Sequence, residues 1–160
     1  MTQSNPTIKE AKLKLEHYCA YQERCHSEVA EKLRSLAMTA AESDEIIVHL
    51  INQNFLNEER FARAFARGKH RIKKWGRNRI VSELKQRNIS QANINYALKE
   101  ISPDEYQTSF DELSQRHWES ISERNVMKKR KKFCDFMLRK GYESDMVYQK
   151  VKMLEEGLFG

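Results

Sequence analysis

Residues 55–90 read FLNEERFARAFARGKHRIKKWGRNRIVSELKQRNIS. Wound into a helix, Phe61, Phe65, Ile72 and Trp75 fall on one narrow face with Gly68 between them, a pattern that predicts a buried stripe. Arg60, Arg63, Arg67, Arg71 and Lys74 make a second stripe, about 120° round from the first at about 100° per residue. From Arg60 to Arg87 there are eleven Lys or Arg against one acid, Glu83, so this stretch carries +10 while the whole chain carries +6. Solvated helix faces usually mix signs so that residues four apart can pair, and this one does not. The expectation is a helix with one side in a core and the other offered to a polyanion or an acidic protein.

The remaining charge is just as uneven. Residues 1–59 sum to −4, residues 100–123 to −6, and Arg124 to Lys132 to +6 with no acid among them. In a chain of 160 residues with a third of them charged, five Gly, two Pro and a mean hydropathy of −0.81, this is the composition of a helical, water-facing protein. No apolar run approaches the roughly 18 residues that a membrane span needs, and MTQSNPTIKE lacks the apolar core of a secretory signal, so a cytoplasmic location is expected. Three cysteines, Cys19, Cys25 and Cys134, suit reduced thiols better than a disulfide framework. His17, Cys19, Cys25 and His26 lie close together, but their spacing matches no usual zinc pattern, and no metal is expected.

Taken in order, Pro6 suits the first turn of a helix carrying Ile8, Ala11, Leu15, Tyr18, Cys19 and Gln22. Ser27 reads as the cap of a second helix with Val29, Ala30 and Leu33, and Thr39 with Glu42 as the capping box of a third with Ile46, Ile47, Leu50 and Ile51. The order then restarts. The basic helix runs to Trp75, where Gly76 is expected to end it in a left-handed turn. A helix with Ile80, Val81 and Leu84 stops near Asn88, and Ser90 caps another with Ile94, Leu98 and Ile101. Ser102-Pro103-Asp104-Glu105 is a strong start signal for a helix with Tyr106, Phe110, Leu113 and His117. Past a polar stretch at 119–125, Phe133, Met137, Gly141-Tyr142, Val147, Val151 and Leu154 complete the pattern.

These segments superimpose on one another. Val29, Ile80 and Phe133 correspond, as do Leu33, Leu84 and Met137; Met38, Ile89 and Tyr142; Ile47, Leu98 and Val151; Leu50, Ile101 and Leu154; and Phe55, Tyr106 and Phe159. The offsets are 51 and then 53 residues. Apolar columns that persist while polar residues drift are the mark of a repeated unit. The expected fold is therefore all-α: three tandem three-helix repeats, 1–53, 54–103 and 104–160, stacked into an elongated, curved molecule. The two basic patches precede equivalent helices and would recur on the same side.

Nothing in the chain assembles an enzyme. It has no Gly-rich phosphate loop, no H-E-x-x-H, no nucleophile elbow and no dinucleotide fingerprint, and its five histidines are scattered. For nucleic acid, Lys and Arg supply salt-sensitive phosphate contacts, and Trp75, Tyr18, Tyr21 and Trp118 could stack bases, though an aromatic at helical spacing more often packs in a core. A helix-turn-helix reading, with Gln91, Asn93, Asn95 and Lys99 facing bases, places an almost uncharged helix where phosphates would lie.

The central stretch resembles the RecX family, modulators of the RecA recombinase. The matching residues are Arg60-Phe61-Ala62-Arg63-Ala64-Phe65, then Gly76, Arg79, Ile80, Glu83, Leu84 and Ile89. Ser27-Glu28-Val29 with Lys32-Leu33, and Met137 to Tyr142, extend the likeness, which spans roughly residues 19–155. Asn57-Glu58 replaces the family's usual pair of aspartates and Asn88 its common glycine, while residues 107–125 match poorly. The resemblance implies tandem three-helix repeats and a non-enzymatic regulator. Such a protein binds the groove of the RecA filament on single-stranded DNA, bridges adjacent subunits, and restrains ATP hydrolysis, strand exchange and co-protease activity. It would act as a monomer, without cofactor, metal or membrane. The residues expected to meet RecA acids or DNA phosphates are Arg60, Arg63, Arg67, Lys69, Arg71, Lys73, Lys74, Arg77 and Arg79, with Lys128, Lys129, Arg130, Lys131 and Lys132. The alternative is an autonomous helical DNA-binding protein or transcription regulator that needs no RecA.

Overall fold

A computed structural model describes residues 5–157, so Phe159 and its place in the repeat columns lie outside the described residues. Among the described residues there are nine helices and no strand: α1 Ile8–Tyr21, α2 His26–Ser35, α3 Ala40–Asn52, α4 Glu58–Lys73, α5 Arg77–Gln86, α6 Gln91–Leu98, α7 Pro103–Ser120, α8 Val126–Lys140 and α9 Ser144–Glu155. The all-α expectation holds. Local chemistry sets most starts: the side chains of Thr7, Thr39, Asn57, Ser90, Ser102 and Asn125 each accept a bond from a backbone N–H in the first turn of their helix. Two starts differ from expectation. Thr7 rather than Pro6 opens α1, and Cys25 rather than Ser27 precedes α2, because the Glu28 carboxylate reaches back to the Cys25 N–H at 3.1 Å.

The repeat is visible in the hydrogen bonding. The second helix of each triplet ends at a left-handed residue, Ala37 at φ 60°, Asn88 at φ 60° and Gly141 at φ 103°. The next N–H then bonds back over the same turn: Met38 to Leu33 O at 3.1 Å, Ile89 to Leu84 O at 3.1 Å and Tyr142 to Met137 O at 3.2 Å. These positions are spaced by the same 51 and 53 residues as the apolar columns.

Within the triplets, α1–α3 close around Ala11, Leu15, Val29, Leu33, Ile46, Leu50 and Leu56. The other six helices share a second core that runs from Phe61 and Ala62 through Ile80 and Leu84 to Tyr106, Phe110, Phe133, Met137 and Tyr142, with Cys25 reaching into it. On α4 the buried residues are Phe61, Ala62, Ala66 and His70, not the Phe61–Phe65–Ile72 stripe. Two alanines one turn apart let α6, which brings Ile94 and Ala97, come close, and α4 is rolled toward them. Phe65 and Trp75 consequently pack edge to face at the margin, and Ile72 is 78% exposed.

Gly76 also differs from expectation. The left-handed residue that ends α4 is Lys74, at φ 59°, while Gly76 is extended and precedes α5. Its lack of a side chain serves a tertiary contact. The Gly76 N–H donates to Lys140 O at 2.7 Å and the Asn78 N–H to Gly141 O at 2.9 Å, so the α4–α5 turn lies directly on the α8–α9 turn. A Cβ on Gly76 would stand 2.4 Å from Gly141 C, and one on Gly141 would stand 2.4 Å from the Arg79 Cβ. Around this contact the Tyr142 hydroxyl donates to Lys74 O at 2.9 Å. The Tyr106 hydroxyl accepts from the Arg77 N–H and donates to Glu143, with Arg77 over the Tyr106 ring. Burial pushes both phenols well above their ordinary range, so they act as donors in the neutral form.

A candidate polyanion-binding surface

α4 begins favourably for its charge. Asn57 caps it, and Glu58 and Glu59 occupy the first turn, where the helix dipole favours acids. Its arginine stripe does not face water alone. Arg60 pairs with Glu23 at 2.6 Å and also donates to Asn54 and Phe55 carbonyls. Arg63 and Arg67 converge on Glu100 at 3.2 and 3.1 Å, and Arg71 meets Glu105 at 2.9 Å. The Arg71 bond holds the Glu105 carboxyl below its usual range. Arg77 pairs with Glu143 at 3.0 Å. These acids lie outside the Arg60–Arg87 stretch in sequence, so a charge count along one helix could not find them.

Some of the cations left over come together. Lys73 is exposed, Lys74 half-buried, and Arg79 lies 4.2 Å over the Trp75 ring while donating to Arg139 O at 3.3 Å. Lys140 donates to Lys73 O at 3.0 Å. Burial, with Arg79 and Lys73 close by, lowers the Lys140 ammonium from its ordinary value. Among the described residues, Lys73, Lys74, Arg79, Arg139 and Lys140 have no carboxylate within ion-pair distance. Three of these cations, Lys73, Arg79 and Lys140, thus meet where the two turns interlock, whereas Lys74 stands near Glu105 and Arg139 faces His117. Lys73 and Arg79 were expected from the sequence. Lys140 was not: it directly precedes the left-handed turn of the repeat, but no local signal places it beside residues more than 60 positions earlier.

Lys69 extends the cluster along α4, 5.0 Å from the Trp75 ring and 5.5 Å from Phe65. Beside it, Ala64, Phe65, Gly68, Ile72 and Lys73 line an open apolar groove. The second basic run is more divided. Arg130 holds Glu155 through two bonds of 2.6 and 2.8 Å, Lys131 pairs with Asp135 at 2.8 Å and Lys132 with Glu123 at 3.5 Å. Lys128 is exposed, and Lys129 sits 4.1 Å over Trp118. Trp75 and Trp118 therefore serve as platforms for cations and pack against the core. On α6, Gln91 and Asn95 bond to each other at 2.9 Å, and Lys99 leans on Tyr96. Among the described residues no helix is long and apolar enough to cross a membrane, and no three metal-binding side chains come together.

Residues 57–98 match the family model described as RecX, second three-helix domain. The regulatory protein RecX of Bacillus cytotoxicus (strain DSM 22905 / CIP 110041 / 391-98 / NVH 391-98) is 24% identical over 152 residues, 95% of this chain and 56% of that protein. The regulatory protein RecX of Bacillus thuringiensis (strain Al Hakam) is 22% identical over 143 residues, covering 89% and 53%. The chain spans about half the length of the curated relatives it matches. Its fold is shared with two crystal structures. One, of regulatory protein RecX, has a TM-score of 0.79 at 21% identity, over 91% of this chain and 71% of that one. The other, of RecX from Lactobacillus salivarius, has a TM-score of 0.77 at 24% identity, over 92% and 96%.

Proposed function

We infer that this chain, which belongs to the RecX family, binds the RecA filament on single-stranded DNA, bridging adjacent subunits in its groove and restraining ATP hydrolysis, strand exchange and co-protease activity. The observation that carries this reading is the cluster of Lys73, Arg79 and Lys140, none of which has a carboxylate within ion-pair distance among the described residues. A cluster drawn from two triplets and fixed by a backbone interlock presents its charge in one geometry, which favours a large ordered partner over diffuse charge. The groove beside it supports a protein contact in particular: exposed Ile72, flanked by Lys69 and Lys73, suits an apolar surface edged with acids rather than phosphates alone. Many such weak contacts add through avidity along a filament. Arg60, Arg63, Arg67, Arg71 and Arg77, being paired within the chain, act in this scheme mainly on the scaffold that holds the cluster, and Arg130, Lys131 and Lys132 do the same for α8.

The test is single-stranded-DNA-dependent ATP hydrolysis by the cognate RecA, titrated with this protein at two salt concentrations. Inhibition is expected for the unmodified chain and for Arg67→Gln, and its loss for the Lys73→Glu, Lys140→Glu double variant, with a shallower salt dependence. Unchanged inhibition in the double variant would remove the cluster from the interface. Tight, salt-sensitive binding to bare DNA with no effect on RecA would replace this reading with an autonomous nucleic-acid binder.

A further inference from the structure

α1 and α2 enclose an open groove of about 530 Å³, lined by Lys14, His17, Tyr18, Tyr21, Arg24, Lys32 and Leu36. No carboxylate lines it, although residues 1–59 sum to −4. Lys12, on another face of α1, pairs with Glu45 at 3.6 Å, whereas Lys14 of α1, Arg24 between the helices and Lys32 of α2 have no ion pair among the described residues. Arg24 is held in place. Its Nε donates to Tyr18 O at 3.0 Å, and its guanidinium lies 3.7 Å from the Tyr18 ring centre, with Lys32 Nζ at 5.7 Å from the same ring. One turn further on, Tyr21 is 84% exposed.

The chemistry of this lining selects its ligand. Planar groups with bare faces suit planar partners, and unpaired cations beside them suit phosphates; a nucleotide chain offers both in alternation. A duplex hides its base faces in the stack, so only a single strand can use Tyr21. An acidic peptide would satisfy the cations but leave that ring with no flat partner. We propose that the groove between α1 and α2 is a base-stacking site for single-stranded nucleic acid, with Tyr21 and the Arg24–Tyr18 stack holding bases by their faces and Lys14 and Lys32 holding phosphates. It needs no recombinase and stands apart from the α4–α8 cluster, so either reading can fail without the other.

The intact chain is titrated into a fluorescein-labelled oligothymidylate and followed by anisotropy at several salt concentrations. One lost stack predicts about tenfold weaker binding by Tyr21→Ala with an unchanged salt slope. Tyr21→Trp should restore affinity, and Lys14→Gln and Lys32→Gln should each lower the slope by roughly 0.7. Because Tyr21 is exposed, its replacement leaves the fold intact. Unchanged affinity in Tyr21→Ala, or no binding of the bare oligonucleotide by the unmodified chain, overturns the proposal whatever the filament assay shows. Equal weakening of duplex binding, or of poly-glutamate binding, by Tyr21→Ala would mark a different ligand and overturn it as well.

Discussion

Replacing Gly76 by alanine adds one methyl group where two turns touch through their backbones. The new Cβ would lie 2.4 Å from both C and O of Gly141 and 2.5 Å from Tyr142 N. Backbone atoms cannot turn aside, so reaching ordinary contact requires the turns to part by about 1 Å. That separation breaks the 2.7 Å bond from Gly76 to Lys140 and the 2.9 Å bond from Asn78 to Gly141. Each bond is worth roughly 1 kcal/mol net, and overpacking of a close-packed contact costs roughly 1–3 kcal/mol, so a loss of about 3–5 kcal/mol is expected. Gly68 supplies the control, because a Cβ there meets nothing within 4 Å. In a helix interior Gly68→Ala should stabilise by about 0.5–1 kcal/mol. Urea unfolding of both variants, followed by far-UV circular dichroism, compares the same chemical change at two sites. Since the interlock also holds Lys73 beside Lys140, Gly76→Ala should weaken polyanion binding while Gly68→Ala leaves the cluster itself intact. A stability loss below about 1 kcal/mol for Gly76→Ala would refute the interlock as a source of stability.

Three further outcomes are expected. Ala37→Gly should stabilise by about 1 kcal/mol, because alanine holds a left-handed conformation at φ 60° that costs it roughly that much, and thermal unfolding will register the rise unless the strain is absent. The Lys140 ammonium is lowered by burial and by Arg79 and Lys73, and an anion covering the cluster raises it again, so binding takes up a proton once the pH passes the lowered value. Affinity should therefore fall with rising pH before the ordinary lysine range near about 10.4 is reached, and Lys140→Arg should remove that early fall. Cys19, Cys25 and Cys134 are buried, with thiols raised above their ordinary value by that burial, so the native protein should leave an aromatic disulfide reagent unreacted at neutral pH until denatured; a single fast-reacting thiol would contradict this.

Helix order and most caps were legible in the chain because each depends on residues a few positions apart, and the repeat columns because their apolar residues recur at fixed offsets. Ser102 caps and Pro103 opens α7 as read, and Asn88 takes the left-handed turn that its side chain tolerates. Glu105 shows where such reading stops: it sits where a capping box would place it, yet its carboxylate goes to Arg71. Ile72 shows the same for packing. Its apolar character fits the stripe, but the small faces of Ala62 and Ala66 decided how α4 rolled against α6.

The sequence by itself determined that this protein is helical, that its apolar columns recur at 51 and 53 residues, and that positive charge is concentrated in two runs. Tertiary structure alone decided which of those charges are free. A cation is neutralised by whichever acid lies within about 4 Å in space, and for Arg60, Arg67 and Arg71 that acid comes from 33 to 37 residues away. Lys73 and Lys140 become neighbours only because Gly76 and Gly141 let two backbones touch.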